Sequence, residues 1–199
     1  MLERPYTRSA ASCSMLLALA SLGCGTEEIV SQSNAPQGEC RAVVTTFEGG
    51  SRDHLAACSG VSYPMSPPVF GDHYPEWAAY QTYDFPVPLG YLVHDLEHGA
   101  VVLFYDCPEG CADEVSEVQA FIEALPADPR CTPFDIDQQV ILTPRPGLGS
   151  RWAASAWGAS ITADCFDADL FGQFYADRHA RGPEDLCHQG IPFTANPCD

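Results

Sequence analysis

Ten cysteines in 199 residues constrain this chain more than any other feature, because what they become depends on where the chain folds. In an oxidising compartment an even set closes into disulfides that staple a fold, whereas reduced thiols bind metal or do redox chemistry. The first residues bear on the choice. Arg4 and Arg8 precede the apolar Met15-Leu16-Leu17-Ala18-Leu19-Ala20, and Ser21-Leu22-Gly23-Cys24 follows, the arrangement of a secretory signal with a small-residue exit. The apolar run is shorter than the roughly 20 residues of a membrane-spanning helix. Residues 1–23 are therefore expected to target the chain and be removed.

A cysteine directly after Leu22-Gly23 resembles the lipobox of bacterial lipoproteins, which implies lipidation of Cys24 at a new N-terminus and a membrane anchor. Ser21 stands where leucine is more usual, so a soluble secreted protein remains the alternative. Setting aside Cys13 and Cys24 leaves Cys40, Cys58, Cys107, Cys111, Cys131, Cys165, Cys187 and Cys198. Their spacing lacks the doubled CxxC of a structural zinc site, which favours disulfides. Cys107 and Cys111 close a small Pro/Gly loop if they pair, and Cys187 with Cys198 would clamp the tail in the same local way.

The formal charge is −18, and removing Glu3, Arg4 and Arg8 with the signal takes away a net +1 and leaves −19. So acidic a surface repels nucleic acid and anionic lipid alike. All nine basic residues are arginine. Residues 24–39 are polar and without period, as a flexible tether would be, and 40–199 are enough for a single globular domain.

Within that domain, Arg41 to Phe47 has the β-branched content of a strand and ends at Gly49-Gly50. Residues 59–90 carry six prolines (Pro64, Pro67, Pro68, Pro75, Pro86, Pro88) among many aromatics, which predicts a long ordered loop region. Tyr91 to Tyr105 reads as a helical turn, then a buried strand from Ala100. Val115, Val118, Phe121, Ile122 and Leu125 fall at helical spacing before Pro126. A short strand is expected over 139–143 and helices over 151–163 and 167–178, the last capped by Asp167. The order predicts an α+β fold: a small mixed sheet with packed helices, long Pro/aromatic-rich loops and disulfide staples.

Four of six histidines, His54, His73, His94 and His98, lie in or beside the irregular stretch. His94 and His98 at i, i+4 put both imidazoles on one helical face, a spacing that metals use. With Glu97 they match H-x-x-E-H, the inverted zinc-peptidase pattern, but Gly99 and the strand behind it interrupt the long helix that pattern needs. The alternative is a set of structural histidines bonded to carbonyls. His179 and His188 are expected at the surface. Other chemistries lack their signatures: there is no Gly-x-Ser-x-Gly elbow, no CxxC and no phosphate-binding glycine loop. Tyr74, Trp77, Tyr80 and Tyr83 either line a groove or pack a core.

The run Pro67-Pro68-Val69-Phe70-Gly71-Asp72-His73-Tyr74-Pro75, then Trp77, Tyr83-Asp84, Pro86-Val87-Pro88 and Leu92-Val93-His94-Asp95-Leu96-Glu97-His98-Gly99, closely resembles the bacterial domain of unknown function family 3105. Thr143-Pro144-Arg145-Pro146, Ala156-Trp157-Gly158 and Gly182-Pro183-Glu184 are similar to it as well, so the resemblance spans Arg52 to Glu184. Val69, Phe70 and Asp72 depart from the family's usual string before His73, which keeps the ligand candidate and changes its neighbours. His54 resembles a further family histidine.

These readings converge on an exported, envelope-located lipoprotein domain with a histidine-built site. His73, His94 and His98 are the expected ligands and His54 a fourth, with Glu97 orienting an imidazole or acting as base to a bound water. Imidazoles suit copper or zinc over magnesium or calcium. The competing reading is a non-catalytic envelope module that binds a protein partner through its aromatic loops.

Overall fold

The computed structural model describes residues 26–32 and 40–199; the signal and Cys24 lie outside them. Among the described residues the order is β1 (Thr26–Gln32), β2 (Cys40–Thr46), α1 (Leu89–Glu97), β3 (Val101–Tyr105), α2 (Ala112–Ala124), a short 3-10 turn, β4 (Val140–Pro144), β5 (Trp152–Ala156), β6 (Ala159–Ala163) and α3 (Ala168–Arg178). The strands form one mixed sheet ordered β1-β2-β6-β5-β3-β4. Only β3 and β4 run parallel, joined through α2, and every other neighbour is antiparallel. This is the α+β architecture that the sequence predicts.

β3 shows why its sequence is an unbroken apolar run. Val101 and Leu103 face a core shared with Val118 of α2 and with Leu170, Phe171 and Phe174 of α3, while Val102 and Phe104 face a second core with Tyr91, Leu92 and Leu96 of α1. A strand covered on both faces loses the polar alternation of a half-buried one. The Pro-rich segment 59–88 packs with α1 on this second face through Tyr74, Ala78, Tyr83 and Val87. Tyr74 and Tyr83 are thus core residues, the packing alternative of the two considered for the aromatics.

Two expectations are corrected. Residues 151–163 form the hairpin β5–β6 and not a helix. The five alanines of this stretch suggest helix, but Trp157-Gly158 makes a two-residue turn with Gly158 at φ +73°, and Trp152, Ala154, Ala156, Ala159, Ile161 and Ala163 share one core as a period-2 pattern requires. Residues 26–32, expected within the tether, pair along the edge of β2 from Thr26↔Thr46 to Gln32↔Cys40. Backbone pairing at a sheet edge satisfies open N–H and C=O groups and needs no apolar period.

Four disulfides join Cys40–Cys165, Cys58–Cys198, Cys107–Cys111 and Cys131–Cys187. The tight Cys107–Cys111 loop is as expected. The Cys187–Cys198 clamp is not formed, because each of those cysteines closes a long-range loop instead, of 56 and 140 residues. Asp167 caps α3 as expected, accepting from the backbone N–H of Asp169 and Leu170. His179 is not a surface residue: its side chain is 11 % exposed and stacks on Tyr175. His188 is exposed as expected.

Candidate metal centre

Helix α1 builds the centre. All of Gly90 to Glu97 is buried, wedged between the sheet and the Pro-rich segment, so its polar side chains point into protein. The helix ends abruptly because Gly99 adopts φ +90°, a left-handed conformation that glycine takes at helix C-termini. His98 N–H, Gly99 N–H and Ala100 N–H then donate to the carbonyls of His94, Leu96 and Asp95. His98 is therefore already the cap, so the long helix of the inverted peptidase pattern is missing.

Ahead of α1, a short parallel bridge brings His54 beside His73: His73 N–H donates to Asp53 O at 3.1 Å and Leu55 N–H to His73 O at 2.7 Å. The His73 ring is fully buried and His54 exposed. Their ring centroids are 4.8 Å apart, and each lies 4.8–5.0 Å from that of His94.

The hydrogen bonds fix which ring nitrogens face inward. His73 Nδ1 sits 2.8 Å from Gly71 O and His94 Nδ1 2.7 Å from Tyr74 O. A carbonyl only accepts, so both Nδ1 atoms carry hydrogen, and Nε2 is the ring atom left to face the other side. This is how proteins orient imidazole ligands towards a metal. The fully buried His73 Nε2 lies 3.0 Å from Glu97 Oε2. The other carboxylate oxygen, Oε1, is 3.7 Å from Arg52 Nη1.

One donor atom from each of His54, His73, His94 and Glu97 falls within a set no more than 4.8 Å across. Three imidazoles and a carboxylate are a donor set for a borderline transition metal. Burial drives the His94 pKa down to about 4, against a smaller upward pull from its bond to Tyr74 O, with the neighbouring histidines adding to the fall. His94 therefore stays neutral and ligand-ready across the physiological range.

The structure thus brings His54, His73 and His94 together with Glu97 in one candidate donor set. His98 stands at its flank, with Nε2 3.1 Å from His94 Nε2 and 3.3 Å from Glu184 Oε2. Burial also lowers its pKa, opposed by Glu184. The Trp77 ring covers both histidines at 5.0 and 4.4 Å and donates to His188 O.

Sequence reasoning gave no role to Arg52 or Glu184. Nor could it find the Gly71 and Tyr74 carbonyls, since backbone groups leave no residue signature. Asp95, beside His94 in sequence, is structural: it accepts from Ala78 N–H and burial holds its carboxyl well above the usual range, tying the Pro-rich segment to α1.

No solved structure and no curated protein matches the chain. Residues 54–190 match the family described as "Protein of unknown function (DUF3105)", a span that starts on His54 and encloses every donor of the site. The chain belongs to the DUF3105 family.

Proposed function

We propose that this protein is an exported lipoprotein, anchored through Cys24, whose domain binds one copper or zinc ion through His54, His73, His94 and Glu97. The observation that carries the metal reading is that one donor atom each of His54, His73, His94 and Glu97 lies within 4.8 Å of the others, with the His73 and His94 rings oriented by Nδ1 bonds to Gly71 O and Tyr74 O. Scattered structural histidines would point apart, whereas the ring centroids of His54, His73 and His94 lie 4.8–5.0 Å from one another. The four disulfides support export, since they persist in oxidising compartments. They also consume the eight cysteines of the domain as thiolate donors, leaving nitrogen and oxygen to hold the ion.

The test is calorimetric titration of the metal-stripped protein with Zn(II) and Cu(II). Wild type is expected to bind one ion per chain, and His73→Gln or His94→Gln to weaken binding at least about 100-fold while remaining folded by near-UV circular dichroism. Equal binding by all three proteins would sink the assignment.

A further inference from the structure

His98 and Glu184 lie outside the four-donor set, yet they are spaced like neighbours around an ion. With bonds near 2.0–2.1 Å, two donors at a tetrahedral angle stand about 3.3 Å apart. His94 Nε2 to His98 Nε2 is 3.1 Å, and His98 Nε2 to Glu184 Oε2 is 3.3 Å. These three atoms also step inward from solvent, since the Glu184 side chain is 48 % exposed and that of His98 2 %. The exposed ligand His54 offers a poorer approach for a cation, because Arg52 projects a half-exposed guanidinium beside Glu97.

Resting on the metal reading above, we propose that His98 and Glu184 form a loading position through which a divalent copper or zinc ion reaches the inner donors. Glu184 captures the ion, His98 takes it inward, and His94 Nε2 is the donor common to both positions. A shared lone pair binds one ion at a time, so the two positions are alternatives for a single ion. As it moves, the bonds to Glu184 Oε2 and His98 Nε2 break, those to His73, His54 and Glu97 form, and the bond to His94 persists with no change of oxidation state. While His98 Nε2 ligates, the ring's one proton resides on Nδ1, which is buried and otherwise without a partner. After transfer the proton returns to Nε2, which donates to Glu184.

The experiment is stopped-flow loading of the metal-stripped full chain with Cu(II), read by quenching of tryptophan fluorescence, since Trp77 packs on His94. Asp164→Asn is the control: it removes the same charge from an exposed pair with Arg41. Glu184→Gln is expected to load about tenfold more slowly, the scale of local electrostatic capture, and still reach one ion per chain. Asp164→Asn is expected to load at the wild-type rate. If Glu184→Gln loads as fast as wild type, or no slower than Asp164→Asn, the loading position is wrong and the inner site stands. If wild type takes up no copper, the metal reading itself fails, and this proposal with it.

Discussion

At the scale of single residues, the site turns on proton placement. His94 and His98 were legible as a ligand-spaced pair because i, i+4 geometry is a property of any helix. Which ring nitrogen faces inward depends on carbonyls contributed by Gly71 and Tyr74, and these depend on a loop path that no local pattern encodes. Glu97, expected to orient an imidazole or to act as base to a bound water, lies 3.0 Å from His73 Nε2 and within the clustered set of candidate donors. The lowered His94 pKa has a measurable consequence. Below the usual histidine value of about 6.5 the unfolded chain takes a proton that the folded one refuses until about pH 4. The contribution of neutral His94 to the stability of the metal-free protein is thus fully present above pH 6.5 and lost as pH falls towards 4. Urea denaturation at pH 7 and pH 5 should show wild type losing roughly 1 kcal/mol more than His94→Gln. Equal losses would contradict a neutral buried His94.

At the scale of elements, α1 and the segment 180–187 act together. The segment lies along the end of α1: Ala180 N–H donates to Gly99 O, Glu184 N–H to Glu97 O and Leu186 N–H to His98 O. Arg130 pairs with Asp185 and the Cys131–Cys187 disulfide holds the far end. Gly182 allows the close approach, since a Cβ there would sit 2.2 Å from Glu97 O and 2.4 Å from Gly99 N. Gly182→Ala should therefore destabilise the fold by roughly 1–3 kcal/mol in urea denaturation, and an unchanged midpoint would show that the segment is loosely held. Most elements were readable from periodicity, as Val115 to Leu125 shows for α2. The β5–β6 hairpin was not, because alanine favours helix locally while burial in the sheet and the Trp157-Gly158 turn decide the outcome. β1 is illegible for a related reason: backbone pairing along the edge of β2 needs no apolar period.

At the scale of the whole molecule, a layered α+β domain with its sheet covered on both faces carries the centre between α1 and the Pro-rich segment. Cysteine number foretold a stapled fold, but three of four bridges close loops of 56 to 140 residues, and contacts that distant leave no trace in spacing. No helix among the described residues is long and apolar enough to cross a membrane. Under the proposed lipid anchoring, Cys24→Ala should shift the protein from the membrane to the soluble fraction of the envelope. Retention of that variant in the membrane would locate the anchor elsewhere. The most direct test of the central claim is the native metal content of the domain, purified without added metal after export and measured by elemental mass spectrometry. Wild type should carry close to one copper or zinc per chain, and the folded His73→Gln/His94→Gln double variant should carry almost none. Wild type without either metal, or a double variant that retains it in full, would contradict the account.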